Sequence, residues 1–261
     1  LPLLVSSQEN KSISTDYILE INTRALYLFD NDEVDKAIKL LDSCLVLINQ
    51  NKHLDSYERL VVLGNKAYFL AKLGFFKEAL ILNNEKLDLL ELYFSDKKSA
   101  IVTVLNNIAN NYITLGKHDD GLSTINRAIL IHDDVINAQE KKHIQLKKEY
   151  ELIKEDTKNH VNKLTAEQLK INSELDDKAA AYEVTSLKQK MIYLSQYYIY
   201  LNTKAIILSN LGNYNESLLI ELKILDYRAK TLGQDHDHYI TTLNNISVSY
   251  GYLGQHSKQL E

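Results

Sequence analysis

The sequence predicts an all-α protein, a right-handed superhelix of about six antiparallel helical hairpins, one of which is lengthened and degenerate. Three observations support this fold class. A phrase recurs in steps of 42 residues, the apolar residues of each copy fall at helical spacing, and one proline and eight glycines leave few breaks in 261 residues. A fixed period of about 20 to 50 residues is typical of repeat proteins whose units stack on one another.

The recurring phrase is clearest at two places. Leu-Asn-Asn-Ile begins at Leu105 and again at Leu243, and both copies continue at the same offsets with Tyr and then Leu-Gly. Looser copies occupy residues 21–32, 63–74 and 201–212. Set in register, the copies start near Ile18, Leu60, Val102, Tyr198 and Ile240. The step is therefore 42 residues, except between the third and fourth copies, where it is 96.

A single repeat consists of two predicted helices joined by a tight turn. In residues 102–115 the apolar side chains recur at i, i+3, i+4 and i+7, the pattern of an amphipathic helix. Gly116 is placed to end this helix, because glycine adopts the left-handed conformation at the least cost. A second periodic segment then runs to about Leu130. A small residue recurs where the partner helix must approach closely, at Ala25, Ala67, Ala109, Ala205 and Ser247.

These hairpins, with a small residue, a tyrosine and a glycine at fixed places, resemble the tetratricopeptide repeat (TPR). The 42-residue length is similar to the longer repeats of kinesin light chain, in which a Leu-Gly-x-Asp-His linker precedes Thr-Leu-Asn-Asn-Leu-Ala. Here residues 232–236 read Leu-Gly-Gln-Asp-His and residues 241–246 read Thr-Thr-Leu-Asn-Asn-Ile. The resemblance implies a TPR superhelix that captures a peptide in its groove, although not the same peptide. The chain departs from the pattern at Asp32, which replaces the turn glycine, and at Gly121 and Gln259, which replace a packed alanine.

The register divides the chain into four parts. We expect an N-terminal extension at residues 1–15, TPR repeats 1–3 at 16–143, a lengthened degenerate hairpin at 144–197 and further TPR repeats at 198–261, the last one truncated. The truncated final hairpin suggests part of a longer protein, because a repeat array needs its last core face covered.

The central segment contains neither proline nor glycine from Leu122 to Leu211. Asn137 with Glu140, and Thr165 with Gln168, have the spacing of helix-start capping boxes. They predict helices near 139–160 and 166–190. The alternative is a protruding coiled-coil arm, but the apolar positions are too irregular for a sustained heptad. Self-association through these long helices is a further possibility.

Three tyrosines at the end of this segment, Tyr193, Tyr197 and Tyr200, share one helix face at i, i+4 and i+7. One interpretation is that they fill the wide core made by the long helices. The other is an aromatic surface for a partner, since tyrosine is enriched among interface anchors.

Catalytic and metal-binding patterns are weak in this sequence. It has no glycine-rich phosphate loop, no Gly-x-Ser-x-Gly and no His-Glu-x-x-His. The acidic and histidine-rich residues 235–238 could approach a metal ion, but the capping of the next helix explains them better. Cys44 falls at a small buried position of a second helix, so we expect a packed thiol. We therefore predict no enzymatic activity, no cofactor and no metal.

Composition narrows the choice of partners. A net charge of −5 argues against nucleic-acid binding, which normally uses a basic face, and no apolar run is long enough to span a membrane. A single cysteine excludes an intrachain disulfide, so an oxidising compartment is not needed. We expect a cytoplasmic protein. Residues 1–5 are alternatively the remnant of a cleaved export signal, which five residues do not establish.

The first helices of such hairpins line the concave side, and in register they present a row rich in asparagine. An asparagine amide can pair with both the C=O and the N–H of a peptide bond. The row comprises Asn22, Thr23, Asn65, Tyr68, Lys72, Asn106, Asn107, Asn110, Thr114, Asn202, Thr203, Asn210, Asn244, Asn245 and Tyr252. From it we select six peptide-binding candidates: Asn65, Tyr68, Asn107, Asn110, Thr114 and Asn245.

Two functions are compatible with this row. The first is a scaffold or adaptor that binds an extended peptide segment of a partner protein. The second is a ligand- or peptide-sensing regulatory domain whose output domain lies outside this chain. The structural alternative is that the asparagines tie neighbouring repeats together. Lys72 is nearly alone as a cation in the row, which disfavours a clamp for a C-terminal carboxylate.

Overall fold

The computed structural model describes residues 14–51, 56–160, 166–255 and 258, and all regular structure in these ranges is helical. The predictions for residues 1–13, for the cap at Thr165 and for Gln259 lie outside them. The chain divides into unit 1, residues 1–121, and unit 2, residues 122–261. The helices are α1 (Thr15–Asp30), α2 (Val34–Gln50), α3 (Ser56–Lys72), α4 (Phe76–Tyr93), α5 (Lys98–Thr114), α6 (His118–His160), α7 (Ala166–Asn210), α8 (Tyr214–Thr231) and α9 (Asp237–Tyr252).

Unit 1 is built from successive antiparallel hairpins. Helix α1 packs on α2 and α3 packs on α4, and α2 and α4 also contact the first helix of the following pair. Helix α1 contacts α3 as well, so first helices of neighbouring repeats lie side by side. The small residues of the first helices are buried, Ala25 and Ala109 completely and Ala67 to 1% exposure. The predicted close approach of the two helices at these positions is confirmed.

The turn inside each hairpin has one geometry throughout the described residues. The residue after the turn donates its N–H to a carbonyl five residues earlier, as in a Schellman motif. These bonds run from Glu33 to Leu28, Phe75 to Leu70, Lys117 to Tyr112, Asn213 to Leu208 and Gln255 to Tyr250, at 2.8–2.9 Å. The preceding residue has a positive φ in every case, 70° at Gly116 and 60° at Asp32. Asp32 therefore adopts the glycine conformation although it carries a side chain.

The two longest helices, α6 and α7, correct one prediction. No helix begins at Asn137, because α6 runs without a break from His118 to His160. Similarly, α7 continues from Ala166 through the expected end near residue 190 as far as Asn210. The two central helices are thus extensions of the flanking repeat helices and not a separate inserted pair. The physical reason is the absence of any helix-breaking residue between Leu122 and Leu211.

The core of unit 2 lies where α6 and α7 belong to the repeat, next to these extensions. Helix α7 contacts α8, and α8 contacts α9. The core includes the fully buried Ile224 of α8 and Leu208 of α7, with Leu122 and Ile129 of α6 packed against it. Farther out, α6 and α7 pair antiparallel, since Glu140 forms an ion pair with Lys190 and His143 stacks on Tyr182 at 5.8 Å. Residues beyond the repeat thus form a two-helix arm, defined here as residues 137–160 and 166–192.

Candidate functional site

One face of α5 presents a stripe of uncharged polar side chains to solvent. Thr103, Asn107, Asn110 and Thr114 are all exposed, and their spacing of i, i+4, i+7 and i+11 places them along one side of the helix. The stripe is about 16 Å long at the rise of an α-helix. Beneath it the helix is buried, with Val104, Leu105 and Ile108 at 2% exposure each. The stripe therefore lies on a rigid support.

The internal hydrogen bonds of this stripe leave some of its side-chain donors and acceptors unused. Thr103 and Thr114 donate their hydroxyls to carbonyls of their own helix, at 2.9 and 3.2 Å. Asn110 donates Nδ2 to the carbonyl of Asn106 at 2.9 Å, and its Oδ1 remains an acceptor. Asn107 makes no side-chain hydrogen bond to any residue in the described part of the chain. Its complete amide group is thus available to an external donor and acceptor.

Asn65 of α3 occupies the same repeat position as Asn107 but has a different environment. Its Nδ2 donates to Oδ1 of Asn22 on α1 at 2.9 Å, and Asn22 is only 5% exposed. This bond joins first helices of neighbouring repeats, as the structural alternative predicts. Asn65 is half-buried. Its own Oδ1 faces no donor within the described residues, so it retains an acceptor.

An aromatic group follows Asn65 along α3. Tyr68 is 52% exposed, and its ring lies 5.9 Å from Phe29 of α1 and 6.2 Å from Phe69. The Nζ atom of Lys72 lies 5.5 Å from the centre of the Tyr68 ring, a cation–π contact. The neighbouring rings hold Tyr68 in place while half of its surface stays open to a partner. The repeat register did not reveal Phe29 as part of this group. The position of α1 that corresponds to Tyr68 in the repeat is not aromatic, and Phe29 lies at a different position of the repeat.

The cations of α3 other than Lys72 form ion pairs with second helices. Arg59 pairs with Glu85 of α4 and also donates to Asn49 of α2, and Lys66 pairs with Asp42 of α2 at 2.5 Å. The exposed part of the α3 and α5 row is therefore almost uncharged. An anionic group would find Lys72 there, already placed over Tyr68.

In unit 2, two members of the corresponding row, Asn202 and Thr203, have internal hydrogen bonds. Arg228 of α8 donates to Oδ1 of Asn202 at 3.4 Å, to the carbonyl of His238 at 2.8 Å and to the hydroxyl of Thr242. It thus joins α7, α8 and the start of α9, and burial lowers its pKa. Thr203 is buried. Asn245 of α9 is half-buried and stands apart from these bonds, so it remains a separate candidate in this unit.

The three tyrosines of α7 surround a histidine of α6. The ring of His132 lies 5.9 Å from Tyr197, stacked, and meets Tyr193 and Tyr200 edge-on at 6.0 and 5.2 Å. His132 is 2% exposed and its Nε2–H donates to the carbonyl of Tyr193 at 3.0 Å. Tyr200 is 4% exposed, so it is unavailable to a partner. The packing supports the core interpretation, since these rings pack between α6 and α7 where the arm joins the repeat.

The remaining chemical candidates have structural explanations. Cys44 is fully buried, its Sγ lies 3.9 Å from the carbonyl of Ile18, and burial raises its pKa to about 11, which confirms a packed thiol. His236 caps α9, because its Nδ1 accepts from the N–H of His238 at 3.1 Å. The capping interpretation of this loop is confirmed. Among the residues that the structure describes, no group of three His, Cys, Asp or Glu side chains is arranged to hold a metal ion.

The described helices include none that combines the length and the apolar character needed to cross a lipid bilayer.

Comparison with known proteins agrees with this geometry. Residues 200–238, which span the end of α7, all of α8 and the following loop, match the family described as tetratricopeptide repeat. The fold is that of TPR-like repeat proteins. A search of curated proteins gave no match.

Solved structures point to one type of repeat. The chain is similar to nearly identical TPR-like repeats in a Podosopora anserina protein described as a kinesin light chain, with 13% identity, a TM-score of 0.58, and 93% and 89% of the two chains covered. It is also similar to BtubC (BKLC) from P. vanneervenii, with 12% identity, a TM-score of 0.60, and 94% and 76% covered. The all-α class, the hairpin repeat and the likeness to kinesin light chain repeats are thus confirmed. Tetratricopeptide repeats generally mediate protein–protein interactions, and this is the class of function that the fold supports.

Proposed function

We propose that the chain is an interaction module without an activity of its own, which binds an extended peptide segment of a partner protein along the exposed row of α3 and α5. The observation that supports this function is the uncharged stripe of α5, in which Asn107 offers a whole amide to solvent. A rigid helix face with unused donors and acceptors can pair with a peptide backbone without first breaking internal bonds.

The two helices have different roles in this proposal. Asn107 accepts from one backbone N–H and donates to one backbone C=O, while Asn110 and Asn65 contribute single acceptors. Thr114 supplies a hydroxyl oxygen at the far end of the stripe. Tyr68, half-exposed and held by Phe29, provides an apolar contact for one side chain of the peptide. Asn245 would contact a peptide in unit 2 independently.

The recognised feature is the interior of a peptide and not its C-terminus. A terminal carboxylate would need several cations, and only Lys72 is available along the described row. Peptides with an amidated C-terminus should therefore bind within about twofold of the free acid. A partner protein of the cytoplasm is consistent with the single buried cysteine.

Peptides selected from a random displayed library against the whole chain provide the test. Isothermal titration with a selected peptide should show about tenfold weaker binding for Asn107→Ala and for Tyr68→Ala, which corresponds to the loss of about 1.4 kcal/mol.

A matched control comes from another helix. Asn84 on α4 donates to the carbonyl four residues earlier at 2.8 Å, as Asn110 does on α5 at 2.9 Å. Asn110→Ala should weaken binding and Asn84→Ala should not. Equal affinities for wild type, Asn107→Ala and Tyr68→Ala, with unchanged thermal unfolding, would overturn the proposal.

A further inference from the structure

The second repeat of unit 1, formed by α3 and α4, differs from the first at two positions that lie against each other. Its first helix carries Gly64 where α1 carries Asn22, and its second helix carries Lys86 where α2 carries the fully buried Cys44. A Cβ atom placed on Gly64 would overlap Nζ of Lys86 and would lie 3.4 and 3.5 Å from its Cε and Cδ atoms. The end of the lysine side chain therefore lies along the space that glycine leaves open.

The position of Gly64 within α3 indicates that this contact is the reason for the glycine. It is the ninth of the 17 residues of the helix, where glycine destabilises the helix relative to alanine. Its φ is not among the positive values of the chain, so no turn requires it. Close approach of another group is the remaining use of a residue without a side chain, and the ammonium of Lys86 is that group.

The Lys86 ammonium has no partner within the described ranges of the chain. It forms no hydrogen bond and no ion pair there, and Glu85, its neighbour on α4, pairs with Arg59 of α3. Burial lowers the pKa of this ammonium. The side chain is nevertheless only partly buried, so a ligand can reach it. A partly desolvated cation without a counter-charge favours the binding of an anion.

The repeat register directs Asn107 of α5 toward the same place. One repeat earlier, Asn65 donates to Asn22 at 2.9 Å. Asn107 and Gly64 are the equivalents of these two residues, 42 positions on. Gly64 has no side chain to accept a bond, and α3 and α5 contact each other less than α1 and α3 do. The place opposite Asn107 therefore combines an ammonium and an amide that have no internal partner.

We propose that Lys86 and Asn107 together bind the side-chain carboxylate of an aspartate or glutamate within the bound peptide. This inference rests on the proposed function, because it assigns one acidic position to the peptide that lies along α3 and α5. The ammonium donates a charge-assisted hydrogen bond to one carboxylate oxygen, and one N–H of the Asn107 amide donates to the other. The second N–H and Oδ1 of Asn107 remain for the peptide backbone.

The carboxylate at the C-terminus of a peptide has the same chemistry, and the binding assay separates the two sources. The probes are peptides selected from a random displayed library against the whole chain. At one position they should be enriched in aspartate or glutamate. In isothermal titration with wild type, replacing that residue by asparagine or glutamine should weaken binding about tenfold. Amidation of the peptide C-terminus should change the affinity by less than about twofold.

The lysine is tested by a variant that keeps its length and removes its charge. With Lys86→Met, the acidic peptide and its amide counterpart should bind within about twofold of each other. Lys66→Met is the matched control, since Lys66 is also a partly buried lysine of unit 1 but already pairs with Asp42 of α2 at 2.5 Å. That variant should keep the tenfold preference for the acidic peptide.

A second variant copies the arrangement of the first repeat. Gly64→Asn combined with Lys86→Cys reproduces the pair formed by Asn22 and Cys44, which unit 1 already accommodates. It should therefore fold, and it should lose the acidic preference as Lys86→Met does. Retention of the preference by either variant would assign the carboxylate to another cation and would overturn the proposal.

Thermal unfolding gives a readout that needs no peptide. Lys86→Met should unfold at a temperature no lower than wild type, because it removes a cation that has no counter-charge. A lower Tm would reveal an internal partner for the ammonium and would contradict the proposal.

Failure of this proposal can be told apart from failure of the proposed function. Selected peptides without an acidic position, whose binding still weakens in Asn107→Ala and Tyr68→Ala, would overturn the carboxylate site and leave the peptide-binding row intact. Selected peptides that bind these two variants as tightly as wild type would overturn both.

Discussion

Asn65 on α3 donates its amide to Asn22 on α1 at 2.9 Å, across 43 positions of the chain. The two residues belong to neighbouring repeats, and Asn22 is 5% exposed. A buried amide that loses its partner costs about 1–3 kcal/mol. The bond therefore fixes the distance between the first two repeats of unit 1 as effectively as an apolar contact would.

We expect Asn22→Ala to lower the free energy of unfolding by about 1–2 kcal/mol, because it removes a buried acceptor and leaves the amide of Asn65 without a partner. Urea denaturation followed by circular dichroism measures this change. Thr23→Ala is the control, since Thr23 is exposed and its hydroxyl donates only to its own helix. Equal losses in the two variants would show that the Asn22–Asn65 bond adds nothing.

The turn at Asp32 should respond to substitution in the opposite direction from the turn at Gly116. Asp32 has a φ of 60°, in the region that glycine adopts most easily, so Asp32→Gly should raise the free energy of unfolding by about 0.5–1 kcal/mol. Gly116→Ala, at a φ of 70°, should lower it by about 1 kcal/mol. Thermal unfolding of both variants checks the prediction. Destabilisation by Asp32→Gly would contradict it and would indicate that the aspartate side chain stabilises the turn.

Glu221 should make unit 2 less stable as the pH rises. It is 3% exposed, and burial raises the pKa of its carboxyl, although hydrogen bonds from Ser249 and Ser217 oppose this shift. The protonated form is favoured in the folded state, so its stabilising effect is present below the unfolded pKa near 4.5 and is lost as the pH rises through the higher folded value.

The pH series that tests this compares Glu221→Gln with wild type. Glutamine has nearly the same shape, keeps one oxygen that can accept from a serine, and does not ionise, so the unfolding free energy of this variant should decline less between about pH 4.5 and pH 7. Glu216→Gln, at a side chain that is 58% exposed on the same helix, should keep the wild-type slope. An unchanged slope in Glu221→Gln would show that this carboxyl ionises freely in the folded protein.

His132 should produce a pH dependence of the opposite sign. Burial lowers its pKa, although its bond to the Tyr193 carbonyl and the charge of Asp133 oppose the shift. The unfolded chain therefore takes up a proton at higher pH than the folded chain does. Stability should fall as the pH drops below the unfolded value near 6.5, by at most about 1.4 kcal/mol per pH unit.

Replacement of the imidazole should remove this effect. In His132→Phe the aromatic packing is kept, and the decline in thermal stability between about pH 7 and pH 5.5 should be smaller than in wild type. The exposed His238 provides the control, because His238→Gln should leave the decline unchanged. A wild-type decline in His132→Phe would assign the effect to another group.

The repeat and its turns could be predicted from sequence because they depend on local chemistry. Ala109 packs a partner helix and Gly116 adopts a positive φ wherever the same two helices meet, so spacing alone reveals them. The helix start at Asn137 could not be judged in this way. A capping box favours a helix start only if the chain is not already helical, and α6 continues through this residue without a break.

The candidate site, too, could be predicted from sequence only in part. Register placed Asn107 and Asn65 at one repeat position, yet Asn65 is bonded to Asn22 and Asn107 is exposed without an internal bond. That difference depends on which residue occupies the facing position of the preceding repeat. Thr103 was missed, although its spacing from Asn107 and Asn110 would have revealed it as the first member of the stripe. The bonds of Arg228 arise only when three helices are assembled.

The unbroken passage of α6 and α7 from repeat into arm also limits how the arm can change in length. A helix rotates by about 100° for each residue, so removing seven residues from each helix turns the outer segment by only about 20° and preserves its inward face. Removing five would turn it by about 140° and would direct Tyr182 and His143 away from each other. Insertions and deletions in this segment should therefore be tolerated only in steps of about seven or eleven residues, which are close to whole numbers of turns, made in both helices at once. The rotation of the helix per residue thus sets which lengths of the arm keep its two helices in contact.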